Sequence, residues 1–404
     1  QKYPDMRQYP GGPPVPPYDN AAWTLPLQMG VLCDEIEEPF EARLERIEAV
    51  PYPKVPAQGK SGYFILDSRV NASYAMAVAL LKDGAEVWRT KAKATVKGRE
   101  LQPGCFVVRN SAAVKKALPA LADKLNLAVL DVDDVSGLAK DPVKFPRIGL
   151  FQSWRGNMDE GWTRYVLDDL GIPFKTLHNA DIKGGKDQKV DLRADFDVVV
   201  FADENANTIK GTRPGAAPGG AESPMARMFR QSPMPPEYEG GIGQEGVDAL
   251  KAFVEKGGRL VALNGASEFA IAEFGAPARN ALAGVDRAKF FCPTSILRLL
   301  VDNESPLGYG LPKETPAMFV NSLAFDTFTP GYGWDRKVVA AYPPDEILMS
   351  GWLLGEEYLS RKAAVVDTKW KDGRVILIGV RCQSRAQSHG TYKFLLNALL
   401  YPGM

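Results

Sequence analysis

Short apolar runs recur along this chain, and most are followed by a longer stretch with helical spacing. Tyr63-Phe64-Ile65-Leu66 reads as a buried strand, after which Asn71 is placed to cap a helix running through Leu81 and closing at Gly84. Ala85–Arg89 and Cys105–Arg109 predict two more strands, Ala112–Leu125 a helix, and Leu127–Asp131 a further strand. A second series follows. Arg147–Gln152 predicts a strand, Asp159–Leu170 a helix ended by Gly171, and Phe174–Leu177 and Phe196–Ala202 two strands. Val247–Glu255 then predicts a helix stopped by Gly257-Gly258, and Arg259–Leu263 a strand. Near the end, Ala363–Thr368 and Arg374–Val380 flank Lys371-Asp372-Gly373, a hairpin signal, and Tyr392–Leu400 has the pattern of an amphipathic helix. Strands alternating with helices imply parallel sheets with crossovers. The expected fold class is α/β, with two doubly wound, flavodoxin-like or Rossmann-like domains, the second carrying an antiparallel edge hairpin.

The segments between these elements set the expected boundaries. Residues 1–20 hold six prolines before Tyr18 and read as an extended arm or linker. A chain opening at Gln1 in such a stretch is expected to be part of something longer. Residues 21–140 form the first predicted domain, including a charged stretch, Glu35–Glu48, with helical character. The Pro- and Lys-bearing stretch Lys140–Arg147 predicts a linker, and residues 147–404 form the second domain. Within it, Thr208–Gly241 has six glycines and six prolines in 34 residues, the signature of a long loop. Met225, Met228, Phe229 and Met234 in that loop are expected to pack on a neighbour.

Composition narrows the functions open to such a chain. Its 404 residues carry 49 basic and 49 acidic side chains, so no basic footprint for nucleic acid is present. No apolar run approaches the ~18 residues of a membrane-spanning helix. Only two histidines occur, His178 and His389, which excludes a three-histidine metal site within the chain. Cys33, Cys105, Cys292 and Cys382 are far apart in sequence and form no Cys-x-x-Cys pair. They are expected to be buried free thiols, with a Cys292–Cys382 bridge as the alternative in an exported protein. Asn71-Ala72-Ser73 matches a glycosylation sequon.

Three features carry candidate chemistry. Gly241-Ile242-Gly243-Gln244-Glu245-Gly246 spells G-x-G-x-x-G, but Pro235-Pro236-Glu237-Tyr238 stands where a dinucleotide site needs a strand. Ser267 follows strand Arg259–Leu263 through a tight turn, the setting of a nucleophile elbow, with His389 as the late base; the competing reading makes Ser267 a helix cap. The third feature is a cluster. Trp154, Arg155, Asn157, Asp159, Glu160, Trp162 and Arg164 follow the first strand of the second series. Asp203 and Glu204 follow the third, Asn264 the fourth, and Arg381, Gln383 and Arg385 the last. The carboxyl ends of parallel strands are where such sheets bind ligands. The cluster is therefore expected either to line a cleft for a ligand or partner domain, or to cap helices and pair internally.

Several stretches resemble a known family. They are Trp23-Thr24-Leu25-Pro26-Leu27, Asn157-Met158-Asp159-Glu160-Gly161-Trp162-Thr163-Arg164, Pro236-Glu237-Tyr238-Glu239-Gly240-Gly241-Ile242-Gly243, Val254-Glu255-Lys256-Gly257-Gly258 and His389-Gly390-Thr391-Tyr392-Lys393. Together they resemble the long carboxyl-terminal part of bacterial zinc carboxypeptidase-like proteins, relatives of carboxypeptidase A. The resemblance implies a class I glutamine amidotransferase-like domain, export to the periplasm or medium, and a peptidase domain or chain upstream as partner. Zinc is expected only in that upstream domain, because neither His178 nor His389 begins a His-x-x-Glu. The elbow cysteine of amidotransferases is replaced by Asn264-Gly265-Ala266-Ser267, so no catalytic residue carries over. The expectation is a non-catalytic accessory region that supports the peptidase or binds peptide or glycan. A serine-type hydrolase using Ser267 and His389, and an assembly-forming homo-oligomer, are the rival expectations.

Overall fold

In the computed structural model, which describes residues 2–16, 24–48, 61–154, 156–184, 190–211 and 235–403, helices and strands alternate as expected, but the first unit pairs its strands differently. A five-residue helix, α1 (Leu25–Met29), precedes it. The unit then runs β1 (Tyr63–Leu66), α2 (Asn71–Lys82), β2 (Val87–Thr90), a small hairpin β3 (Ala94–Val96) and β4 (Arg99–Leu101), β5 (Phe106–Arg109), α3 (Ala112–Leu125), β6 (Leu130–Val132) and β7 (Lys140–Val143). The sheet order is β6-β1-β5-β2-β7, and every neighbouring pair is antiparallel. This corrects the expected doubly wound parallel domain. β1 and β2 do run the same way, as a crossover helix demands, but β5 returns between them. The result is a split β-α-β arrangement of the ferredoxin-like kind with an added edge strand.

Two other local expectations fail for identifiable reasons. Lys140–Arg147 is not a linker throughout: its first half is β7, whose Pro142 is tolerated because the strand lies at the sheet edge. Residues 35–48 form no helix and are exposed. Pro39 interrupts the pattern, and among the described residues Ile36, Phe40 and Leu44 meet no surface on which a helix could bury them.

In the second unit the predicted helices and parallel strands form, but the antiparallel strands between residues 278 and 350 are not among the predicted elements. It contains β8 (Ile148–Phe151), α4 (Met158–Asp169), β9 (Lys175–Leu177), short helices α5 (Asn179–Lys183) and α6 (Leu192–Asp195), β10 (Val198–Phe201), α7 (Ala206–Lys210), α8 (Gly243–Glu255), β11 (Arg259–Leu263) and α9 (Ala266–Phe274). An antiparallel series follows: β12 (Ala278–Asn280), β13 (Ser295–Val301), β14 (Glu314–Phe319), β15 (Phe325–Thr327), β16 (Trp334–Ala341), β17 (Leu348–Ser350) and β18 (Ala363–Trp370). β19 (Gly373–Ile378) and α10 (Tyr392–Leu399) come next.

β9, β8, β10, β11 and β19 are parallel and adjacent in that order. Counted along the chain this is 2-1-3-4-5, the order of a doubly wound sheet with its switch point between the first and third strands. The sheet then continues antiparallel through β18, β16, β13 and β14. The expected edge hairpin is therefore the joint between two halves of a larger mixed sheet. Its two-residue turn places Lys371 at φ 54°, as a tight hairpin requires.

Successive residues of the parallel strands face opposite sides. Val199, Phe201, Leu260 and Ala262 pack under α8 and α9, whereas Val198, Val200, Val261 and Leu263 face α4 and α10. That second core also includes Phe64, Leu66, Tyr74, Phe106 and Val143, so one apolar core runs through both units. α10 is buried along its whole length. A fully buried cation joins the units as well. Arg89 of β2 donates to the Gly104 carbonyl (2.9 Å), Asn397 Oδ1 of α10 (2.7 Å) and Tyr74 Oη (3.1 Å). The rings of Tyr74, Phe106 and Tyr309 surround its guanidinium. Asn71 is the first residue of α2 rather than its cap; its side-chain amide donates to the His389 carbonyl instead.

The arm at residues 2–16 docks on the antiparallel extension, with the Tyr3 N–H bonded to the Gly351 carbonyl and Arg7 Nη1 to the Ala288 carbonyl. The four cysteines are free, and no Cys292–Cys382 bridge forms. Cys105, Cys292 and Cys382 are buried as expected, but Cys33 is exposed. No helix among the described residues is long and apolar enough to cross a membrane.

Candidate functional site

The carboxyl ends of β8, β10, β11 and β19 converge, and the loops leaving them carry the residues singled out in the sequence. Asn157 caps α4: its Oδ1 accepts from the Asp159 and Glu160 N–H groups (2.9 and 3.2 Å). Its Nδ2 reaches across to the Asp203 carbonyl (2.7 Å). Capping thus turns the first residues of α4 toward the end of β10.

Between them lies an ionic clamp. Arg381, just past β19, bonds Asp159 Oδ2 through Nη1 and Asp203 Oδ2 through Nη2 (2.5 Å), while Nε donates to the Val320 carbonyl (2.7 Å). One guanidinium therefore holds two carboxylates, the forked geometry that arginine alone supplies. Asp203 Oδ1 accepts the Gly265 N–H (2.8 Å), and a Cβ on Gly265 would stand 2.6 Å from that oxygen. Glycine is required there by close approach. Burial pushes the Asp159 carboxyl above its ordinary value, against the pull of Arg381. Glu204 stands beside the clamp, accepting from Ser153 Oγ (2.5 Å) and the Asn205 N–H (2.9 Å).

The clamp forms part of the wall of a cleft of about 770 Å³, within the size range of small-molecule sites. Met158, Asp159, Trp162, Arg381 and Arg385 line it on the parallel side, and Ser295, Ile296, Met318 and Val320 on the antiparallel side. Gln28 of α1 closes one end, held there by the bond from the Gly390 N–H to its carbonyl (2.8 Å). Arg385 is exposed, and its side chain makes no ion pair or hydrogen bond among the described residues. Its backbone is left-handed (φ 51°), as are Ala386, Asn264 and Asn321 around the same edge. Four non-glycine residues in that region at one sheet edge store strain of the kind that accompanies binding sites.

Other predicted site residues lie elsewhere. Glu160 and Arg164 pair with each other one turn along α4, and Arg164 also reaches Thr176 Oγ1 (3.0 Å) and the Phe174 ring. Trp154 packs on Tyr238 (5.1 Å between centroids), which also contacts His178. Gln383 is buried and donates to Thr163 Oγ1 (2.9 Å). Asn264 Nδ2 donates to the Asn321 carbonyl (3.1 Å), tying the two left-handed turns together. Arg155 and residues 212–234, including the loop methionines and Phe229, lie outside the described residues.

Ser267 and His389 are not joined by a hydrogen bond. Ser267 is fully buried in the first turn of α9, where Oγ donates to the Ala262 carbonyl (3.1 Å) rather than capping the helix. The His389 ring stacks on Tyr392, and burial lowers its pKa below the usual histidine value. The Cys382 thiol at the same edge is pushed up to about 12 by burial and donates to Gln383 Oε1 (3.4 Å). In the G-x-G-x-x-G stretch, Gly241 packs directly on Gly211 at the start of α8, so its glycines serve backbone contact. No cluster of three metal-ligating side chains occurs among the described residues.

The antiparallel wall was invisible to motif reasoning, since Ile296, Met318 and Val320 carry no chemistry by themselves. Residues 295–301 and 334–341 form strands, but neither segment has a regular alternation that would tell which surface it faces.

No protein-family model matches the sequence, and no curated protein sequence matches it. Solved structures resemble the chain at low identity. A cytoplasmic protein from Salmonella typhimurium is 12% identical, with a TM-score of 0.37 over 63% of this chain and 99% of that one. A protein described as ThuA-like, from Bacteroides uniformis, is 10% identical, with a TM-score of 0.33 over 63% and 89%. A protein described as part of a GMP synthase, from Thermoplasma acidophilum, is 10% identical, with a TM-score of 0.34 over 63% and 94%. The chain's own strand order makes the fold a mixed parallel and antiparallel α/β sheet.

Proposed function

We propose that this chain is a non-catalytic binding module, with an amidotransferase-like second unit, that holds an anionic segment of a peptide or glycan in the cleft between its parallel and antiparallel half-sheets. The observation that carries this reading is Arg385, an exposed guanidinium that pairs with no carboxylate among the described residues, on the same wall as Trp162 and Met158. A cation beside an aromatic face suits a carboxylate attached to an apolar or sugar body. The residues that would make the cleft hydrolytic are committed elsewhere: Ser267 to Ala262, Arg381 to two carboxylates, and Cys382 to a buried thiol form. From the sequence motifs alone comes the further proposal that the module works beside an exported zinc carboxypeptidase-type domain.

The test is a fluorescence titration with peptides ending in a free carboxylate and with acidic glycans, using Trp162→Phe to assign the signal. Arg385→Ala is expected to weaken binding about tenfold, the loss of one charge-assisted contact, without changing stability. Equal affinity in the variant, or no saturable signal from either ligand class, refutes the proposal.

A further inference from the structure

The opposite, amino edge of the parallel strands contains a second cavity, of about 60 Å³, that the binding reading does not use. Lys144, Phe145, Arg193, Asp197, Arg259 and Tyr401 surround it. Arg259 opens β11, where the pleat turns its side chain inward beneath α10. The residue is 5% exposed, yet Nη2 to the Leu399 carbonyl (3.1 Å) is the only hydrogen bond its side chain makes among the described residues. Nε is buried without an acceptor among the described residues. A guanidinium has five N–H donors, and a buried donor left unpaired is costly.

The neighbouring charges do not supply the missing acceptor. Asp197 is already taken by Arg147 (Nε and Nη2, both 2.9 Å) and Arg193 (2.6 Å), which hold its carboxyl far below the usual range. Asp367 is paired with Arg374 and also accepts from Tyr401 Oη (2.9 Å). Lys144 at the rim makes no ion pair or side-chain hydrogen bond among the described residues. Lys144, Arg193 and Arg259 thus line the cavity against one carboxylate that is shared between two arginines.

We propose that this cavity binds a small inorganic oxyanion, of the phosphate or sulfate type, between Arg259 and Lys144. The volume exceeds what a single water needs and falls far below that of an organic ligand site. A tetrahedral oxyanion presents acceptors in several directions, as the unpaired Nε of Arg259 and a rotatable ammonium require. The site would tie the segment entering β8 to the chain beyond α10, since Lys144 and Phe145 belong to the first and Tyr401 to the second.

The experiment is isothermal titration of the 404-residue chain with inorganic phosphate, then with sulfate, at low ionic strength after removal of multivalent anions. One saturable site with a dissociation constant near or below about 1 mM is expected. Lys144→Ala is expected to weaken it about tenfold and Arg259→Gln to abolish it. Circular dichroism checks that Arg259→Gln folds; if it does not, the exposed Lys144→Ala variant decides. No saturable heat with either anion, meaning that water fills the cavity, overturns the proposal. So does binding in Lys144→Ala indistinguishable from the parent.

Discussion

Replacing Arg381 by methionine isolates the ionic clamp. The substitution keeps much of the side-chain volume and removes the charge that Asp159 and Asp203 share. Those carboxylates have side chains only 10% and 20% exposed, so water replaces the guanidinium poorly. Removing one member of a buried ionic group costs about 3–5 kcal/mol, because the charge left behind is uncompensated. The Val320 carbonyl loses its donor too. In equilibrium urea unfolding the midpoint should fall by roughly 1 M or more. The deficit depends on pH in a definite direction. Burial already raises the Asp159 pKa, and without Arg381 nothing on that side opposes it. The folded value then stands further above the unfolded value of about 3.9, so the native state binds more protons across that interval. Stability of the variant therefore falls as pH rises through the interval, and its deficit is smaller at pH 4.5 than at pH 7.5. The triple variant Asp159→Asn, Asp203→Asn, Arg381→Met should regain most of the loss, since an asparagine Oδ1 can still accept the Gly265 N–H. A single variant within about 1 kcal/mol of the parent, or a triple variant no better than the single, refutes the reasoning.

Lys393 is buried, and desolvation lowers its pKa to about 8, only partly opposed by Asp67. The unfolded chain thus holds more protons between pH 8 and the ordinary lysine value, and native stability should rise with pH across that window. Lys393→Met should be more stable at pH 7, by roughly 2–3 kcal/mol, and should lack the rise; urea unfolding at pH 7 and 9.5 checks both. Arg89→Lys keeps the buried charge but loses the fork that reaches Gly104, Asn397 and Tyr74, at a cost of about 3 kcal/mol. Because Asn397 belongs to the second unit, scanning calorimetry should show one transition shifted down; separate transitions for the two units in the parent would contradict the shared core.

Much of this architecture was legible as local pattern. The helix 112–125 and the strand 259–263 occupy their predicted bounds, because each is closed by its own signal: Ser111 capping, Asn126 in a left-handed turn, and the glycines before Arg259. The pairing in the first unit was not legible. A helix between two strands fixes their relative direction but does not say whether another strand lies between them, and only β5 in its place distinguishes the two cases. The candidate site was half legible. Charged and capping residues at strand ends announce themselves, and Asp159, Asp203 and Arg381 do meet. Their neighbours Glu160 and Arg164 have the same sequence character, yet one turn of helix directs them away from the cleft.

The burial of α10 has a consequence for synthesis. This helix supplies Phe394, Leu395, Leu396 and Leu399 to the core that also holds Phe64 and Leu66 of β1, and Asn397 to the Arg89 cage. About 330 residues separate β1 from the end of α10. At ribosomal rates of about 5–20 residues per second, the first strands wait roughly 20–70 s for the helix that completes their packing. Over that interval the core shared by the two units stays incomplete, so the order in which the units leave the ribosome does not set when that core closes.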